Sequence, residues 1–131
     1  RDELLKGDSL LPAIYLTQKL DIAVVGIGYP NEKSAIMATG YFKENEIESL
    51  IDRKVAGELC MQFYDIYGDT APYKDDNNVI GMDISMLRSV PRSIGIAGGV
   101  EKLRAVRGAI NGHYINTLIT DIECAEALIS E

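Results

Sequence analysis

From Arg92 to Ala127 the chain alternates between unbroken apolar runs and apolar residues spaced three or four apart. Arg92 to Ala97 reads as a short strand, and Gly98-Gly99 as the turn that ends it. Leu103, Val106 and Ile110 then recur at helical spacing, and Asn111-Gly112 is expected to supply a left-handed stop. Tyr114 to Ile119 predicts a second strand. The box Thr120-x-x-Glu123 predicts the start of a closing helix with Ile122, Ala125 and Leu128 inward. Strand, turn, helix, strand and helix in succession are the grammar of a parallel α/β sheet.

The upstream residues extend the same pattern. Leu10, Ile14 and Leu20 share a helical face, with Pro12 tolerated in the first turn after Asp8 or Ser9 as cap, so a helix covering a sheet is expected. The β-branched run from Ile22 lacks polar alternation, as in a strand buried on both faces, and ends in Gly26-x-Gly28. Residues 31–41 are loop-like. Glu44 to Lys54 predicts an amphipathic helix with Ile47, Leu50 and Ile51 on one side. Gly57 to Asp65 is a strand candidate closed by a carboxylate and followed by the turn Tyr67-Gly68-Asp69. Residues 70–78 read as a polar surface excursion before a return at Val79-Ile80-Gly81. Ile84 to Val90 predicts one or two helical turns capped by Asp83 or Ser85 and stopped by Pro91. The order α-β-α-β-loop-β-α-β-α predicts an α/β fold, a parallel sheet flanked by helices.

Composition narrows the function classes. With 131 residues, 47% of them hydrophobic, the chain has material for one modest core, so one domain or part of one is expected. A net charge of −7 and no basic run longer than Arg53-Lys54 argue against a duplex-binding face in these residues. Cys60 and Cys124 each lie among apolar neighbours, far apart, and suit core thiols in a reducing compartment better than a disulfide or zinc site. A cytoplasmic location is the expectation. No apolar run approaches the roughly 20 residues that span a bilayer. The opening RDELLKGDS has neither an initiator Met nor a signal-peptide core, which suggests a fragment or a processed chain.

The candidate chemistry gathers at strand ends, where parallel sheets bind ligands. The Ala97-Gly98-Gly99 loop exposes backbone, and Lys102 follows it on the next helix's first turn. A helix dipole favours acids there, so an external anion is a partner for this cation; the plain alternative is a solvated lysine. Asp65 could accept two sugar hydroxyls, or could serve only its own turn. His113 is the only histidine and has no acid, serine or cysteine at triad spacing, so it reads as an exposed connector. Asp121 and Glu123 are explained by the amino end of the last helix, and Asp75-Asp76 by solvent. Gly26-x-Gly28 lacks the third glycine of a dinucleotide fingerprint, because Asn31 occupies that position. Arg88 and Arg92 flank Val90-Pro91 at the other end of the strand and suit structural roles. No metal site, cofactor or catalytic residue is expected.

Several stretches together carry a family resemblance. The series LDIAVVGIG, GYF with an acidic helix, VAGELCMQFYD-x-x-G and VIGMDISMLRSVPRSIGIAGGVEKLRAVRGAINGHYINTLITDIECAEAL resembles the effector-binding domain of SorC-type bacterial transcriptional regulators. That family includes the central glycolytic gene regulator and the deoxyribonucleoside regulator. The resemblance implies a fold like sugar-phosphate isomerases and glucosamine-phosphate deaminases, used for sensing. It assigns Asp65 to ligand hydroxyls, Lys102 with Gly98 and Gly99 to a phosphate, and Gly26 and Gly28 to the lining of the same cleft. The family's helix-turn-helix and the first half of its effector domain, with a Gly/Thr-rich phosphate loop, have no counterpart here. Residues 1–131 are therefore expected to form the C-terminal part of a sugar-phosphate effector domain.

Three function classes follow. The leading expectation is a sensor of a phosphorylated sugar that reaches DNA only through a helix-turn-helix outside this sequence, has no membrane partner and forms homo-oligomers. An isomerase or deaminase on the same scaffold would need a general base, for which only His113 or an acid such as Asp65 is available. The third is a module whose apolar helices mainly pair protomers.

Overall fold

The computed structural model describes residues 11–31, 34, 40, 43–77 and 81–130. Along them run α1 (Leu11–Thr17), β1 (Ile22–Gly26), α2 (Glu44–Asp52), β2 (Gly57–Leu59), β3 (Gln62–Tyr64), β4 (Arg92–Ile96), α3 (Leu103–Asn111), β5 (Thr117–Ile119) and α4 (Ile122–Ile129). Short 3-10 turns occupy Ala71–Tyr73, Ile84–Ser89 and Val100–Lys102. The expected helix caps Asp8 and Ser9, and the return at Val79-Ile80, lie outside the described residues.

The β-branched runs form a parallel sheet in the order β1-β4-β5, with Val24 opposite Ile94 and Ile94 opposite Thr117. Helix α3 is the crossover from β4 to β5, so its carboxyl end returns the chain to the amino edge of the sheet. Ala105, Val106 and Ala109 of α3 pack with Ala23 and Val25 of β1, and with Tyr114, Ile115 and Cys124, to make the main core. A smaller cluster of Ile47, Leu50, Val55, Phe63 and Tyr73 lies under α2.

Several expectations are corrected. Gly57 to Asp65 is a hairpin, not one strand: β2 and β3 pair antiparallel across Cys60 and Met61, both left-handed at φ 52° and 63°. Such a two-residue turn points its side chains outward. Cys60 is therefore exposed, and only Cys124 is a core thiol. The strand β1 is buried on one face alone. Ala23 and Val25 point inward, while Ile22 and Val24 stay 57% and 61% exposed, and Ile96 and Ile119 continue that open outer face. Helix α1 forms with Pro12 in its first turn, but none of its side chains is buried and, among the described residues, none joins the core that it was expected to cover.

Local signals misplaced three further details. The left-handed residue after α3 is His113 at φ 56°, whereas Gly112 has φ −73° and is needed because a Cβ there would overlap the Tyr114 ring. The cap of α4 is Asp121, not Thr120, and Ile122 is 72% exposed. Asp76 is not left to solvent: Arg53 donates to both its carboxylate oxygens, at 2.7 and 3.0 Å. The Asp83 cap of the turn before Pro91 is present, its carboxylate accepting from Ser85 N–H at 2.8 Å.

Candidate ligand-binding site

Parallel pairing brings the loops after β1, β4 and β5 to one edge. The Ile27 N–H donates to the Ile96 carbonyl at 2.9 Å and the Ala97 N–H to the Ile119 carbonyl at 3.1 Å, so the three loops leave the sheet side by side. The β2-β3 hairpin closes one flank. The Gly28 N–H donates to the Glu58 carbonyl at 3.0 Å, and the Glu58 N–H returns to the Gly28 carbonyl at 2.9 Å.

Lys102 ends the 3-10 turn that leaves the Gly98-Gly99 loop, its N–H donating to the Gly99 carbonyl at 3.1 Å. The residue is half-buried, at the carboxyl edge. The same edge holds a charged side chain that sequence reasoning passed over. Glu58 sits mid-strand, half-buried between the buried Gly57 and Leu59, and its carboxylate lies over Gly28, where any Cβ would overlap it. Its Oε2 accepts from the Met61 N–H at 3.0 Å. Burial pushes the Glu58 carboxyl up from its ordinary range; the Met61 amide and the charge of Lys102 pull it part of the way back. In sequence, an acid between two inward apolar residues reads as a solvated strand face, and only the pairing with Gly28 gives it a place.

The Gly98-Gly99 loop differs from an open anion receptor. The Gly99 N–H donates to the Asp121 carboxylate, whose other oxygen accepts from Cys124 N–H at 2.8 Å at the start of α4. These two amides hold the Asp121 carboxyl below its ordinary range. Gly99 itself has φ 95°, a conformation that glycine adopts without strain, and the Glu101 carboxylate folds over it. One of the amides suggested by the sequence is thus occupied by an internal acid, because the cap of α4 lies beside the loop of the neighbouring strand.

The remaining candidates are not gathered here. Gly26 faces the outer side, with nothing within 4 Å of where a Cβ would stand. Asp65 serves its own turn: Oδ1 accepts from the Tyr67 N–H at 2.8 Å and the Asp69 N–H at 2.9 Å. Its carbonyl lies against Gly108, six residues beyond Lys102, or about 9 Å further along α3. His113 is exposed at the amino edge. Arg88 is structural, donating to the Gly112 carbonyl at 2.8 Å and lying over the Tyr114 ring. A separate cavity of about 330 Å³ is lined by Gln62, Asp69, Lys74, Asn77 and Asp83. Its amides are committed to the backbone, Gln62 to Met82 and Ile84, and Asn77 to Phe63. Among the described residues no group of acids, cysteines or histidines is placed to hold a metal ion, and no helix is long and apolar enough to cross a membrane.

Residues 1–130 match the family model described as "Putative sugar-binding domain". The chain belongs to the sugar-binding domain family of SorC-type transcriptional regulators. It is 38% identical over 110 residues to the sorbitol operon regulator of Klebsiella pneumoniae, covering 84% of this chain and 35% of that protein. It is 31% identical over 118 residues to the deoxyribonucleoside regulator of Bacillus subtilis, covering 90% and 37%. The crystal structure of the full-length Klebsiella regulator superposes on 98% of this chain and 42% of its own, with a TM-score of 0.86 and 33% identity. These sugar-binding domain relatives are named as regulators, and the chain spans little more than a third of the length of the two curated ones.

Proposed function

We propose that this chain is the C-terminal part of an effector domain that binds a phosphorylated sugar, without turning it over, and so controls DNA binding by a longer, oligomeric regulator. The observation that carries this reading is Lys102, a half-buried cation at the carboxyl edge of a parallel sheet, where α/β folds take ligands. Its ammonium meets the phosphate, and Gly28, Gly98 and Gly99 let the ligand approach the backbone. The Gly99 amide joins only where Asp121 gives it up. Asp65, held in its turn, has no part in the phosphate contact, and Gly26 faces away from it. The open outer face of Ile22, Val24, Ile96 and Ile119 supports the placement within a larger domain, since parallel sheets are covered on both sides.

The test is a thermal-shift and calorimetric screen of phosphorylated sugars and their unphosphorylated counterparts on the intact regulator. Phosphorylated sugars are expected to raise its melting temperature without forming product. Lys102→Ala is expected to weaken the phosphorylated ligand by about tenfold or more and the unphosphorylated one far less. Equal weakening of both removes the lysine as phosphate anchor, and ketose/aldose interconversion would favour an enzyme.

A further inference from the structure

A phosphate arriving at Lys102 meets the Gly98-Gly99 loop with one of its amides already held by a carboxylate. We propose that Asp121 stands in for the ligand's phosphate: it holds the Gly99 N–H in the free protein and yields it to a phosphoryl oxygen on binding, and so sets the affinity of the cleft for phosphorylated ligands. This deepens the reading just given and rests on it.

Three observations carry the assignment. The contact is made on the open side of the loop: Gly98 and Asp121 are both exposed, and the Asp121 Oδ2 that receives the Gly99 N–H lies 3.2 Å from where a Cβ of Gly98 would stand. An anion coming from solvent to these glycines therefore comes to the position that this oxygen occupies. Helix α4 does not depend on it. Oδ1 alone accepts from the Cys124 N–H at 2.8 Å, and the Asp121 carbonyl accepts from the Ala125 N–H at 3.0 Å, so the cap outlasts release of Oδ2. Lastly, the loop can turn. Gly99 has φ 95° and Gly98 carries no side chain, so the peptide between them can re-aim its N–H at small cost.

A carboxylate and a phosphate cannot share one N–H at hydrogen-bonding distance, because like charges that close repel. The exchange trades one charge-assisted hydrogen bond for another, whereas a neutral hydroxyl offers a bond about half as strong and does not displace the carboxylate. An unphosphorylated sugar therefore binds with the tie in place and is indifferent to it. The apparent affinity for a phosphorylated ligand is reduced by the fraction of molecules in which the amide is free. Glu101, whose carboxylate also folds over Gly99, adds to the negative charge at the loop, and Lys102 is the cation that follows it. A tie that merely held the loop in its binding shape would act in the opposite direction, since losing it would loosen the receptor.

The test is calorimetry on the intact regulator with a panel of hexose, hexitol and pentose phosphates, their unphosphorylated counterparts and inorganic phosphate. Wild type is compared with Asp121→Ser, Asp121→Asn and Lys102→Ala, with melting curves to confirm folding. Asp121→Ser keeps a cap on α4 without reaching Gly99, and Asp121→Asn keeps the shape, and one oxygen for the Cys124 N–H, without the charge. Both are expected to bind the best sugar phosphate and inorganic phosphate about three- to tenfold more tightly than wild type. Unphosphorylated sugars are expected to stay within about twofold. Unchanged or weaker phosphate binding by both folded variants overturns the inference, while loss in Lys102→Ala leaves the sensor reading standing. No binding of any sugar phosphate to wild type or to Asp121→Ser overturns both.

Discussion

Glu58 and Gly28 exchange two backbone hydrogen bonds at the carboxyl edge of the sheet, the Gly28 N–H donating at 3.0 Å and the Glu58 N–H at 2.9 Å. The two residues are 30 positions apart, and their pairing stitches the hairpin to the end of β1. The pairing holds the Glu58 carboxyl partly out of water, which leaves a trace in stability.

The Glu58 carboxyl is raised in the folded state, so the native form holds this proton more tightly than the unfolded chain. Its charge therefore opposes folding above the folded-state pKa, and that penalty disappears once pH falls below the unfolded value. Glu58→Gln is expected to melt above wild type at neutral pH, with the gap closing on acidification. Melting curves between neutral pH and pH about 4 check this; a gap that widens towards acid contradicts the assignment.

Two glycines are expected to respond differently to the same methyl group. At Gly28 the obstacle is the tip of the Glu58 side chain, which can swing aside, so Gly28→Ala is expected to cost less than about 1 kcal/mol. At Gly108 the obstacles are the Asp65 carbonyl and the buried Tyr64 ring, which cannot retreat. Gly108→Ala is expected to cost about 1–3 kcal/mol by overpacking. Denaturant titration of both variants separates the two effects.

Asp121 ties the amino end of α4 to the Gly98-Gly99 loop, and its carboxyl is lowered in the folded state by the Cys124 and Gly99 amides. A lowered carboxyl stabilises above its unfolded pKa, and the benefit is lost as pH falls through the folded value. Asp121→Ala is expected to melt below wild type at neutral pH and to converge with it in acid. Asp121→Ser keeps a cap on α4 but does not reach Gly99, so it is expected to fall between the two.

Arg53 donates to Asp76 with both terminal nitrogens and to the Pro72 carbonyl at 2.9 Å, while its guanidinium lies over the Tyr73 ring. Asp76→Asn is expected to cost about 1 kcal/mol, less at high salt, because the pair is only partly shielded from water. Asp75→Asn, at its exposed neighbour, is expected to change little. Urea titrations at low and high ionic strength distinguish them.

The sequence by itself determined the architecture and marked the carboxyl edge of the sheet. Apolar periodicity marked the three parallel strands and the crossover helix, Asp83 and Pro91 punctuated the turn before β4, and Gly28, Gly98, Gly99 and Lys102 were placed at strand ends by short-range signals alone. Tertiary structure decided where the acids lie. Asp65 looked apt because it closes an apolar strand, but a two-residue turn at Cys60-Met61 folds that strand into a hairpin and carries Asp65 towards the far half of α3. Glu58 carried no signal of its own in the sequence, and pairing with Gly28, 30 positions earlier, sets it at the carboxyl edge. Asp121 read as a helix cap and is one, yet its second oxygen reaches a loop 22 residues away. Periodicity and capping report on neighbours within a few residues of each other, whereas the contacts that assemble this cleft join backbone segments that only the packing of hairpin and helix against the sheet brings within hydrogen-bonding distance.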